Sequence, residues 1–126
     1  MKNEIFILLL MIFLHIIDDY KLQGILASMK QKQWWKDQKE YNDLYKYDFI
    51  PALIEHSFSW TFMIMLPIAI SMNFDINVWI PVYISNIAIH AFTDNLKANA
   101  LKINLVIDQS IHIIQIIATW LIFISI

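Results

Sequence analysis

Apolar residues fall into four runs along the chain, and the polar residues gather between them. The first run extends from about Ile5 to Tyr20, the second from Phe49 to about Met72, the third from about Val78 to Lys97, and the fourth from Ile103 to about Ser125. A membrane-spanning helix takes about 20 predominantly apolar residues. The second and fourth runs meet that comfortably, whereas the first must tilt or continue past Asp18 and Asp19. Pro67 lies inside the second run. Pro81 is expected in the first turn of the third helix, where a missing N–H is tolerated. Residues 5–17 resemble a signal-peptide core, yet the sequence passes straight into Asp18 and Asp19 with no small-residue cleavage site. That run is read as a retained helix. The pattern predicts an all-α fold: an integral membrane four-helix bundle forming one domain over residues 1–126.

The stretch between the first two runs has another character. Leu22, Ile25, Leu26 and Met29 share a helical face, followed by Lys30, Lys32, Trp34, Trp35 and Lys36. Lysine stems and indole rings favour the headgroup layer, so an interfacial amphipathic helix is expected here. Its simplest role is to anchor the chain beside a helix turn; recruiting a partner is the other. The first loop carries Lys21, Lys30, Lys32, Lys36, Lys39 and Lys46, the third carries Lys97 and Lys102, and the second, around SMNFDIN, carries none. Lysine-rich loops stay inside. This predicts a multi-pass protein of the inner (plasma) membrane with loops one and three cytoplasmic and both termini outside, against which only Lys2 argues.

Composition narrows the chemistry. The chain is 59% hydrophobic, above the roughly 45–50% of globular domains, and its mean hydropathy is +0.54. One glycine and no cysteine exclude a glycine-rich phosphate loop, a disulfide framework and a thiolate metal site. With no arginine and a net charge of −2, the chain has no basic face for nucleic acid and no bidentate phosphate clamp.

The predicted topology brings the remaining polar residues to one level. His15 and Asp19 end helix one, His56 lies about two turns into helix two, His90 and Asp94 end helix three, and Asp108 and His112 begin helix four. Every histidine of the chain is thus at the cytoplasmic end, one per helix. Three have an aspartate four residues away, on the same helix face. Asn86, His90, Asp94 and Lys97 continue one stripe, and Asn104, Asp108, His112, Gln115 and Thr119 another. Such stripes must face the interior, because a charge at the bilayer centre costs about 2.5–3.5 kcal/mol even on insertion scales. A single histidine near a helix end is ordinarily interfacial, Asp18 can be solvated, and Asp37, Glu40 and Asp43 are solvated loop charges. Glu55 points about 100° away from His56, toward headgroups or as an extra ligand. The joint pattern, more than any one residue, points to a metal or proton-handling site.

Imidazoles and carboxylates without thiolates suit a divalent ion, with zinc first and manganese or iron next. Seven candidate ligands, His15, Asp19, His56, His90, Asp94, Asp108 and His112, exceed the four of a closed structural zinc site and fit an open or two-metal site. An aspartate not fully used as a ligand can act as general base, and Lys97 can neutralise an anionic oxygen. The leaflet position suggests a lipid or lipid-linked ester, phosphoester or amide as substrate.

These residues resemble a known family. HIIDDYKLQ at 15–23 with Lys30 after it is similar to the HxxxDFxxQ…K opening of the DUF3307 family of small bacterial and phage membrane proteins. His56, HAFTDNLK at 90–97 and DQSIH at 108–112 follow in the family's order, with Tyr20 in place of phenylalanine. The resemblance covers nearly the whole chain and implies the fold and the motif positions. A looser similarity to YdjM-type membrane-bound metal-dependent hydrolases implies hydrolysis. The expected function is therefore a membrane-embedded metal-dependent hydrolase. Asp19, Asp94, Lys97 and Asp108 are its catalytic candidates, and Gln23 and Gln109 bond to ligands or substrate. The competing readings are an oligomeric metal-ion or proton transporter, and an interaction protein whose His–Asp network only holds the helices together. Lipid-facing Trp and Met surfaces make a homo-oligomer plausible.

Overall fold

A computed structural model describes residues 2–38, 43–71 and 75–126; Lys39, Glu40 and Met72 lie outside the described residues. The described residues are helical, with no strand among them. The elements are α1 (Lys2–Ile17), a π turn (Asp18–Leu22), α2 (Leu26–Met29), α3 (Lys32–Lys36), a 3-10 turn (Asp43–Tyr45), α4 (Phe49–Ser71), α5 (Ile76–Ala98) and α6 (Leu105–Ile124). Three segments, Asp43–Ser71, Ile76–Ala98 and Leu105–Ile124, are long and apolar enough to cross a membrane. At 16 residues, α1 is shorter than these.

The four long helices pack up and down. α4 lies against both α1 and α5, and α6 closes the ring between α5 and α1. Ile7, Met11, Trp60, Ile64, Met65, Ile68, Ile116 and Phe123 fill the interior. The outside is also apolar: Phe6, Leu9 and Phe13 on α1, Ile54, Phe58 and Phe62 on α4, and Ile114 and Leu121 on α6 are exposed. A helix hydrophobic all round needs either a protein core or lipid around it.

Local signals set the boundaries. The Asp75 carboxylate caps Asn77 N at 2.9 Å, which starts α5 at Ile76, two residues before the expected Val78. Pro81 consequently sits beyond the first turn, inside the helix. Asn104, expected on the inner stripe, is instead the N-cap of α6, accepting from Ile107 N at 2.9 Å. The single amphipathic helix expected before α4 is replaced by two short helices. Gly24, at φ +51°, turns the chain before α2, in a region only glycine visits freely. Gln31 is extended and separates α2 from α3. Trp35 Nε1 donates to Met29 O at 2.7 Å across that break.

Candidate metal centre

α1 would present one face every 3.6 residues, but its end widens into the π turn, closed by Gln23 N donating to Asp18 O at 3.1 Å. The wider turn brings two consecutive carboxylates inside, and both Asp18 and Asp19 are buried. Such turns recur at functional sites. Opposite them, α4 supplies His56, α5 supplies His90 and Asp94, and α6 supplies Asp108 and His112, all buried. Trp60 forms the floor. Its ring stacks on His90 with centroids 4.1 Å apart, and His90 stacks on His112 at the same separation.

The closest approaches run between helices rather than along them. His56 Nε2 lies 3.2 Å from Asp19 Oδ1 and 3.4 Å from Asp94 Oδ2. His112 Nε2 lies 3.3 Å from Asp94 Oδ1, and the Nε2 atoms of His56 and His90 are 3.2 Å apart. The i,i+4 pairs are looser: 4.0 Å for His15 with Asp19, 3.8 Å for His90 with Asp94, and 3.5 Å for His112 with Asp108. Each carboxylate of a pair thus lies nearer to, or is shared with, another helix's histidine or lysine. Two overlapping groups can hold a metal ion, Asp19–His56–His90 and His90–Asp94–His112, each with its donor atoms within 4.8 Å of one another. Ligands about 2.0–2.1 Å from a tetrahedral ion stand about 3.3 Å apart, close to the separations seen here.

Two observations test whether these residues fit a cation. Nδ1 of His56, His90 and His112, Nε2 of His112, Oδ1 of Asp108 and Oδ2 of Asp18 are buried without a hydrogen-bond partner. Leaving such an atom unpaired costs about 1–3 kcal/mol, and several do so within one cluster. The second observation is charge. Among the described residues, the cations that Asp18, Asp19, Asp94 and Asp108 face are Lys30 and Lys97, so with neutral imidazoles the cluster is formally negative by the charge of one divalent ion. Donor chemistry, spacing and charge all fit.

His15 stands apart from both groups. Trp60 Nε1 donates to its Nδ1 at 2.7 Å, and its Nε2 meets Gln109 Oε1 at 3.1 Å. Gln109 in turn donates to Asp19 Oδ2 at 2.9 Å and Asp108 Oδ2 at 3.1 Å. Both ring nitrogens are engaged, and the histidine holds Gln109, which holds two carboxylates. Asp108 also lies outside the two groups: Lys97 Nζ reaches its Oδ2 at 2.7 Å, leaving Oδ1 unpartnered and 3.5 Å from His112. Gln23 Nε2 donates to the Asp19 backbone oxygen. Glu55 is exposed and outside the cluster.

Sequence reasoning missed three contributors. Asp18, which the sequence alone allows to be solvated, is fully buried, accepts from Ser59 Oγ at 2.7 Å and lies 3.9 Å from His56 Nδ1. Lys30, read as following the amphipathic face in the headgroup layer and otherwise marked only by the family resemblance, turns inward, its Nζ 2.5 Å from Asp94 Oδ2. Trp60 gave no signal beyond being an aromatic residue one turn from His56. Asn86, Gln115 and Thr119 do face inward, but bond to one another: Gln115 Nε2 to Asn86 Oδ1 at 2.8 Å, and Asn86 Nδ2 to Thr119 Oγ1 at 2.9 Å. They tie α5 to α6. Compared with family models, with curated proteins and with solved structures, this chain matches none of them.

Proposed function

We propose that this chain is a metal-dependent hydrolase of the DUF3307 type, a four-helix bundle in a bacterial inner membrane that acts on a lipid or lipid-linked substrate at the cytoplasmic leaflet. The observation that carries the proposal is the convergence of buried imidazole and carboxylate groups from four elements at ligand spacing, with unpartnered ring nitrogens on His56, His90 and His112. Asp19, His56, His90, Asp94 and His112 would hold the ion, zinc by preference for this donor set. When bound, the ion supplies Lewis acidity toward an ester, amide or phosphoester.

The protein's own groups divide the remaining work. Asp108 Oδ1 is free of hydrogen bonds while Oδ2 is fixed by Lys97 and Gln109, which suits it to accept a proton from water. Asp18 Oδ2 lies 3.9 Å behind His56 Nδ1, from where closing to hydrogen-bond distance on ion binding would orient that ring, as carboxylates behind ligating histidines do. Trp60 and the apolar interior close the cluster from below. That closure disfavours a transport path, which would need polar groups through to the other end. The polar ladder stops at Thr119, and Ile7, Ile68 and Phe123 lie buried beyond it.

The test is metal content of detergent-purified protein by elemental mass spectrometry, wild type beside Asp94→Asn and His112→Ala. About one or two equivalents are expected in the wild type, lost in both variants while the protein stays monodisperse. Metal-free wild type after reconstitution with zinc, manganese and iron would leave the cluster a structural network. Metal retained in both variants would place the ion elsewhere.

A further inference from the structure

A cavity of about 370 Å³ opens beside the cluster, lined by Gln23, Lys30, Gln31, Asp94 and Lys97 among others. It shares Asp94 with the ligand groups, so whatever occupies it lies against the metal centre. Two ammonium groups line it, in a chain whose only fixed cations are nine lysines. Lys30 is the more enclosed, its side chain 12% exposed against 36% for Lys97.

Both lysines are paired with carboxylates of the cluster, Lys30 with Asp94 and Lys97 with Asp108. An ion that takes up the Asp94 carboxylate removes the counter-charge of Lys30. The ammonium so released can turn its donors toward an anion in the cavity, and with both ligand groups filled the cluster would be formally positive by the charge that a phosphate dianion offsets. A neutral ester or amide brings no such charge. A phosphate does, with several oxygens to share between two ammonium groups and the ion, and lysine serves as a point-charge phosphate ligand. Gln23 Oε1, buried and without a hydrogen-bond partner, can accept from a hydroxyl of the same group. We infer that this cavity is the phosphate subsite of the metal centre, and that the substrate is a phosphomonoester headgroup. The inference rests on the metal-centre reading above.

The test uses full-length protein in phosphatidylcholine nanodiscs, loaded with Mn²⁺, freed of excess metal and assayed for manganese. Added inorganic phosphate is followed by phosphorus NMR, because a bound paramagnetic ion broadens only nuclei held close to it. Strong broadening is expected in the wild type. It should fall about tenfold in Lys30→Met and in Lys97→Met at unchanged manganese content, and return in Lys30→Arg, which keeps the charge. In a second arm, phosphatidic acid is added to the nanodiscs and inorganic phosphate is omitted. Broadening of its headgroup resonance beyond that of phosphatidylcholine identifies the lipid as the source, whereas broadening confined to inorganic phosphate identifies a soluble phosphate. Protein that holds manganese without broadening either phosphate overturns the subsite and leaves the metal centre standing. The subsite is equally overturned if both methionine variants broaden phosphate as the wild type does. Protein that holds no metal overturns both.

Discussion

Trp60 decides what His15 can do. An indole N–H only donates, so the His15 Nδ1 that accepts from it at 2.7 Å carries a lone pair. The proton of the neutral ring then sits on Nε2 and is donated to Gln109 Oε1. That orients the Gln109 amide, whose nitrogen donates to Asp19 and Asp108. His15 therefore acts through Gln109, and its removal should loosen the carboxylates without deleting a ligand. His15→Ala is expected to bind the same number of ions at saturation with affinity lowered about 10–100-fold, the usual effect of losing a group behind a ligand. Competition titration against a chelator of known affinity checks this. Complete loss of binding would make His15 a ligand.

At the scale of elements, the residues 24–36 matter more than their hydropathy suggests. Gly24 and the extended Gln31 break the amphipathic stretch, and the break lets Lys30 reach Asp94 instead of lying along a membrane surface. Asn99, capping the end of α5, holds the broken stretch in place: its Oδ1 accepts from Lys32 N at 2.7 Å and its Nδ2 donates to Lys30 O at 3.0 Å. Asn99→Ala should release it, speeding amide exchange over residues 30–36 by about tenfold or more, as the loss of one or two hydrogen bonds implies. Hydrogen-exchange mass spectrometry reads this directly; unchanged exchange would mean that α2 packing on α4 alone fixes Lys30. The same stretch marks the limit of the sequence. The ends of α4 and α6 follow from runs of apolar residues and were legible to within a residue or two, as was the gathering of four histidines at one end, because up-and-down helices put alternate termini together. Asp18 was not legible, since only the π turn rotates two adjacent carboxylates inward, and no period announces a π turn. Nor were the cross-helix pairings, such as Asp19 with His56, which depend on how each helix is rotated about its axis.

For the molecule as a whole, charge is distributed along one axis. The connection from α1 to α4 carries six lysines and that from α5 to α6 carries Lys102 just beyond Lys97, whereas the connection from α4 to α5 carries none. Lys30 and Lys97 turn into the cluster, which removes two from the count that orients the chain. The exposed Lys32, Lys36, Lys46 and Lys102 still lie at one end, and lysines near span ends bias that end toward the cytoplasm. The candidate metal centre lies at the same end, so on the proposed reading the orientation of the chain also decides which leaflet would supply a substrate. The sequence has no cysteine, so single introduced thiols report orientation without background. Gln33→Cys, in the exposed α3, should react with a membrane-impermeant maleimide only after cells are permeabilised. Ser125→Cys, beyond α6, should react in intact cells. The reverse pattern would put the centre at the outer leaflet and its substrate among the lipids there. Equal labelling of both positions in intact cells would mean that the lysine bias, reduced by the two buried ammonium groups, is too weak to orient so short a chain.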